Sequence, residues 1–341
     1  MWNPRTYEDS DYGLGEGETF EPEIQDHEID TVSTSEPHIM TLLGPIVPEE
    51  LGICLPHVHL LCDPPGADED HRLTDADSAE SEIEAFVTMN GRSLVECSTR
   101  DAGRMTPPLR DIAGWVPAHL IAVTGRHADR YAAQMPNATD IDSLAEEFIG
   151  ELQKGIDSTD AMAGVIKVGT SLNEITVVER CSIQAAAMAH KATGAPITSH
   201  TENGTMALEL IETLGINGVD ANRIIIGHVD RVNMNLDAHL EIARTGAYLQ
   251  FDQIGKIDDY TDQQRAERVV ELIQAGFGDQ ILLSLDFARR SQLVSYDGAP
   301  GLPYMSEWFM VLLLEAGLEA MDVRKLVIDN PARALTIHPI A

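Results

Sequence analysis

From residue 53 to residue 285 the chain alternates between two kinds of stretch, and this alternation limits its fold more than any other feature. Short runs rich in Val, Ile and Leu read as buried strands: Ile53–Leu55, Ser93–Cys97, Leu120–Thr124, Val165–Val168, Pro196–Ser199, Arg223–Gly227, Ala247–Phe251 and Ile281–Leu285. Between them lie stretches of helical pattern, among them Ala79–Met89, Ile141–Lys154, Val177–Thr193, Thr205–Leu214, Asn235–Thr245 and Asp262–Ala275. Tyr304–Ala316 and Met321–Ile328 follow the last strand. Near-continuous apolar strands belong to parallel sheets covered on both faces, and parallel neighbours need a crossover, usually a helix. Eight such units predict an α/β fold, a (β/α)8 TIM barrel. An open doubly wound sheet is the alternative, weakened because no G-x-G-x-x-G follows any strand. Asp142 marks a helix start, and Gly194 and Gly246 close two helices. Pro107 and Pro108 interrupt the pattern within residues 103–115.

Residues 1–40 differ from the rest: they carry eleven acids and one base, Arg5, with no sustained apolar period. Such a segment buries too little to offset its ordering entropy, so a disordered acidic N-terminal extension is expected, with a single barrel over 41–341. The whole chain holds 23 Lys+Arg against 56 Asp+Glu, a net charge of −33. That balance excludes a nucleic-acid footprint and argues against an anionic membrane surface. Only five bases are lysines (Lys154, Lys167, Lys191, Lys256 and Lys325), and such a surface suits a cytoplasm of high salt. The four cysteines, Cys54, Cys62, Cys97 and Cys181, show no C-x-x-C spacing and read as reduced thiols of a cytoplasmic protein. No apolar run approaches 18 residues, so a soluble protein is expected.

Chemistry-bearing side chains cluster where the strands end. His57 and His59 close the first strand two residues apart, on one face. Lys167 lies in the fourth strand, His200 and His228 end the fifth and sixth, and Asp286 ends the eighth. Each alone has an ordinary explanation: a carbonyl to satisfy, an ion pair, a helix cap. Together they would converge at the C-terminal mouth of a barrel, where catalysis sits, and imidazole with carboxylate is a zinc-type donor set. Lys256, Arg289 and Arg290 fall in the loops after strands 7 and 8, a frequent phosphate site in barrels. With Arg126, His127 and Arg231, also at strand ends, they are the substrate-binding candidates, and they favour an anionic substrate. Pairing with local acids such as Asp258 and Asp259 is the competing reading of these bases.

Six stretches resemble the phosphotriesterase family of the amidohydrolase superfamily: Thr41-Leu-Leu-Gly-Pro-Ile, Leu55-Pro-His-Val-His-Leu-Leu-Cys-Asp63, Gly164-Val-Ile-Lys-Val-Gly-Thr170, Ile197-Thr-Ser-His-Thr201, Ile226-Gly-His-Val-Asp230 and Asp329-Asn-Pro-Ala-Arg333. The resemblance implies a hydrolase with two divalent metal ions, zinc first, with manganese or cobalt as alternatives. By it, His57, His59 and Asp286 hold the buried ion and His200 and His228 the exposed one. Lys167, carboxylated by CO2 to a carbamate, bridges them together with a hydroxide that attacks the substrate. Asp286 is then the acid–base. Val58 departs from the family, which often has an acid there, but its side chain should point away from the site. The loop bases resemble the lactonase branch acting on phosphorylated sugar lactones, although Gln292 stands where a tyrosine often follows the arginines. A phosphotriester or amide hydrolase is the alternative, and a non-catalytic binding protein would require an incomplete ligand set. The expected partners are a small-molecule substrate and a second copy of the chain in a homodimer.

Overall fold

The computed structural model describes residues 32–256 and 260–340. The expected disorder therefore concerns mainly residues 1–31, which lie outside the described residues, as do Asp258 and Asp259. Ordered structure starts before the expected boundary at residue 41. Ile39–Thr41 (β1) pairs antiparallel with Gly44–Ile46 (β2), His38 bridges to Ile337, and Met40 is buried. Strands of three residues are too short to show a period in sequence, so the apolar pattern starts later than the fold does.

Eight parallel strands follow in consecutive order: Ile53–Val58 (β3), Gly91–Glu96 (β4), His119–Gly125 (β5), Ala163–Thr170 (β6), Ile197–Thr201 (β7), Ile224–Ile226 (β8), Tyr248–Phe251 (β9) and Ile281–Leu283 (β10). The sheet curls until its edges meet. Asp286 N–H donates to the His57 carbonyl at 3.0 Å, and the Ser284 hydroxyl donates to the same carbonyl at 2.7 Å. The fold is a (β/α)8 barrel, and the seam that closes it runs through two of the expected site residues. Long helices cover the outside, including Ala76–Thr88, Ile141–Gln153, Val177–Thr193, Ala207–Ile216, Leu236–Arg244 and Asp262–Gln274. Among the described residues no helix is long and apolar enough to cross a membrane.

Period-two alternation sorts each strand into an outward and an inward face. On β6, Ile166 and Val168 join the large core between sheet and helices, while Val165 joins a smaller cluster with Cys54, Val95, Ile121, Val123, Ile225 and Leu282. These seven fill the barrel interior, and Lys167 stands two residues after Val165 on the same inner face. The interior is thus apolar at its base and polar at its C-terminal mouth, which brings the strand-end side chains together.

Two local expectations change. Pro107 and Pro108 do not break a helix; they lie in the first turn of Thr106–Ala113, where a missing N–H leaves no hydrogen bond unmade. The helix at Ile141 is capped by Asp140, whose carboxylate accepts from Ser143 N–H, while Asp142 is the acid of its first turn. Gly194 ends its helix in the left-handed region, at φ +76°, as a C-terminal glycine should.

Gly125 has a direct bearing on the site. It sits opposite Lys167 in the β5–β6 ladder at φ +108°, and a Cβ there would meet the Lys167 carbonyl oxygen at 1.9 Å. Gly125→Ala should therefore cost at least about 1–3 kcal/mol from the backbone conformation alone. Urea unfolding measures it, and an unchanged midpoint would contradict the geometry.

Candidate metal centre and active site

The six expected ligands converge. Lys167, His57, His200, His228 and Asp286 are buried, and His59 opens partly to the mouth. His57 Nε2 lies 3.2 Å from Lys167 Nζ and 3.6 Å from Asp286 Oδ1, and His59 Nε2 lies 3.3 Å from the same Asp286 oxygen. Donor atoms of His57, His59 and Asp286 all fall within 4.8 Å of one another. On the far side, His228 Nε2 approaches His200 Nδ1 at 2.8 Å. Val58 is buried in the outer core, away from this cluster.

Backbone geometry helps to aim these groups. His228 and Asp286 both adopt positive φ, +60° and +45°, a region that non-glycine residues seldom enter. Each is held there by its own N–H, His228 to the Asp252 carboxylate at 3.1 Å and Asp286 to the His57 carbonyl. Strain of this kind persists only where neighbouring contacts over-determine it, and it gathers at functional sites.

A second layer of contacts fixes the rings. Asp252 Oδ1 lies 2.7 Å from His228 Nδ1, and its other oxygen accepts from the Gln250 amide at 2.9 Å. The same Gln250 nitrogen is 2.9 Å from His57 Nδ1. Ser98 Oγ lies 2.7 Å from His59 Nδ1, and Glu96 accepts the N–H groups of Leu60, Leu61 and Ser98 just beyond that histidine. Outer partners of this kind set ring tautomer and orientation, leaving the opposite nitrogen for a metal. Asp252→Asn should consequently weaken divalent-metal affinity by about 10- to 100-fold, read by competition with a chelator. Wild-type affinity would assign Asp252 to the fold alone.

Electrostatics favour ligands in their binding forms. Burial, then the Lys167 charge, pushes His57 well below the ordinary imidazole range. Burial and the neighbouring His228 bring His200 down to about 3. Burial alone would raise Asp286, but Lys256 and His228 outweigh it and hold the carboxyl well below its usual value. Neutral imidazoles and ionised carboxylates are what a divalent ion requires. Lys167 is the odd member. Its Nζ donates to the Cys97 carbonyl at 2.8 Å and faces His57, and among the described residues it has no carboxylate in ion-pair range.

The cluster forms the floor of a cavity of about 750 Å³. Of the substrate-binding candidates, Lys256, His127, Arg231 and Arg289 line it. Lys256 is not free, since its Nζ lies 2.7 Å from Asp286 Oδ2 and 2.9 Å from Gln253 Oε1. Arg290 turns away from the cavity, pairing with Glu69 and donating to the Arg72 carbonyl at 2.8 Å. Arg126 is likewise withdrawn, its guanidinium buried on Glu147 at 3.0 Å. His127 is fixed in form as well as place. Its Nδ1 accepts from Ala128 N–H at 2.6 Å, which leaves Nε2 as the protonated nitrogen.

Sequence reasoning passed over Gln250, Asp252, Gln253 and Arg130. For Gln250 and Asp252 a signal existed, because they alternate along β9 and past its end and so share the inner face with the other ligands.

Comparison with known proteins places the chain in a family. The model of the phosphotriesterase family matches residues 37–335. The chain belongs to that family. The Escherichia coli phosphotriesterase homology protein is 34% identical over 285 residues, covering 83% of this chain and 97% of that one. The structure of a lactonase from Listeria monocytogenes superposes with a TM-score of 0.84 at 32% identity, covering 88% and 99% of the two chains. An N-acetyltaurine hydrolase from Dictyostelium discoideum is 31% identical, over 78% and 75%. The protein is therefore a metal-dependent hydrolase of the phosphotriesterase family, a family of binuclear metal enzymes, and its clustered histidines and carboxylates fit that role.

Proposed function

We propose that this phosphotriesterase-family chain hydrolyses a lactone, or a closely related ester, that carries an anionic group. The observation that carries the reading is the cavity wall. In a chain of net charge −33, four cations besides Lys167, namely Arg130, Arg231, Lys256 and Arg289, line a single cavity above the clustered ligands. Fields focused in a cleft draw in a ligand of opposite sign, and a neutral phosphotriester has no use for such a wall. Similar proteins lean the same way: one is described as a lactonase, and the E. coli protein was crystallised with phosphate in its active site.

His57, His59 and Asp286 would hold one divalent ion and His200 and His228 the other, zinc being the first expectation and manganese or cobalt the alternatives. Such ions supply an acidified water and polarise the scissile carbonyl. Lys167 is proposed to carry a CO2-derived carbamate. The support is its position: among the described residues this buried ammonium has no acid in ion-pair range, and once carboxylated it would offer anionic oxygen to ions held by the neighbouring donors. Asp286 takes the proton of the attacking water and returns it to the leaving oxygen. Lys256 and Gln253 both contact Asp286 Oδ2, at 2.7 and 2.9 Å, and keep that carboxylate ionised and aimed. His127 Nε2–H is a fixed donor for a substrate oxygen.

Amide hydrolysis is the second reading, favoured by the relatives described as N-acetyltaurine hydrolases. A panel of phosphorylated lactones, neutral lactones, N-acyl sulfonates and neutral aryl phosphotriesters separates these. The highest kcat/KM is expected on a phosphorylated lactone, above its uncharged counterpart by about 10-fold or more, the worth of one charged hydrogen bond. A preference for the N-acyl sulfonate would select the amide reading, and a preference for the triester would overturn both.

A further inference from the structure

Besides Lys167, which sits among the metal donors, four cations line the cavity, and three of them already face a carboxylate. Lys256 Nζ is 2.7 Å from Asp286, Arg231 Nη1 is 3.6 Å from Glu202, and Arg289 Nη1 is 3.8 Å from Asp70. Arg130 is the fourth. Its charge reaches Glu202, but among the described residues its guanidinium makes no ion pair within 4.0 Å and no hydrogen bond, and its Cζ stands 4.9 Å from the centre of the Tyr131 ring.

That ring begins a continuous stack. Tyr131 packs edge-on against His127 with centroids 5.1 Å apart, and His127 tilts onto the proposed ligand His200 at 4.3 Å. The stack therefore runs from an arginine at the cavity wall, its hydrogen-bond donors unused among the described residues, to the edge of the reacting centre. The loop that carries it is anchored at several points. His127 N–H donates to the buried Asp101 at 2.9 Å, Asp129 N–H donates to Glu179 at 2.9 Å, and Thr176 Oγ1 donates to Asp129 at 2.9 Å. A guanidinium lying on an aromatic face is pre-oriented by the ring yet keeps its donors for a planar, two-point contact with phosphate, sulfonate or carboxylate. Lys256, engaged by Asp286, would have to abandon the catalytic acid to do the same.

We propose that Arg130, braced on Tyr131, binds the anionic group of the substrate, so that this group lies on the β5 side of the cavity beside His200, and not against Lys256 and Arg289. This rests on the reading of an anionic acyl substrate and gives that substrate a direction. The acyl bond sits over the ligands, and the charge extends past His127 towards the rim.

The test is steady-state kinetics of the metal-loaded enzyme on two probes, a five-membered lactone bearing a phosphate monoester and the same lactone bearing a hydroxyl. In Arg130→Gln, KM for the phosphorylated probe should rise about 10- to 100-fold with kcat held. The charged-to-uncharged ratio of kcat/KM should fall by the same factor, and Arg130→Lys, a point charge without the fork, should recover part of it. Arg289→Gln should move this ratio little. The reverse pattern, with the ratio intact in Arg130→Gln and lost in Arg289→Gln, would overturn the proposal while leaving the anionic substrate in place. Wild-type enzyme that treats the two probes alike would remove the anionic-substrate reading, and this inference with it.

Discussion

Replacing Lys167 by alanine should leave a folded barrel that no longer retains its divalent ions and hydrolyses nothing above background. Lys167 stands between His57 Nε2 at 3.2 Å and the Cys97 carbonyl at 2.8 Å, a cationic side chain set wholly inside a cluster of metal donors. As an ammonium it can only repel a cation; as a carbamate it offers two anionic oxygens. Short carboxylic acids should enter the space left by Lys167→Ala and restore part of both metal content and activity when metal is in excess. Arginine keeps charge and length but cannot take up CO2, so full activity in Lys167→Arg would refute the carbamate.

Asp286→Asn comes next in size. The carboxylate touches His59, His57, Gln253 and Lys256, so it meets both the metal donors and the cavity. Loss of a positioned acid–base should lower kcat by about 10²–10⁴. An amide would also present a donor to Lys256, so metal content must be matched before rates are compared. Lys256→Met gives the complementary result: kcat should drop on charged and uncharged substrates alike, because what is lost is the support of Asp286. Wild-type kcat in Asp286→Asn at equal metal loading would remove the assigned role.

Most of the ligand set could be read in sequence because of where barrels put polarity. His57, His200, His228 and Asp286 each end or follow an apolar run, and a lysine inside the run of β6 has few reasons to be there. Those are local signals. What sequence could not show depends on distant contacts. Arg289 and Arg290 are adjacent, yet one lines the cavity and the other leaves it. The choice follows from Glu69, Asp70 and the Arg72 carbonyl, more than two hundred residues away, which hold Arg290 and Ser291. Arg130 was invisible for a similar reason: its place at the wall depends on how Asp101 and Glu179 anchor the loop after β5. Lys256 was legible as a cation near the site but not as the partner of Asp286, since loop conformation alone decides which acid it meets.

The central claim is that these six side chains form a two-ion centre on which hydrolysis depends. Elemental analysis of protein purified without chelator, run beside activity, tests it most directly. Close to two divalent ions per chain are expected, with activity lost as chelator removes them and regained when zinc, manganese or cobalt is returned. A chain that hydrolyses its substrate at full rate with no divalent metal bound would contradict it.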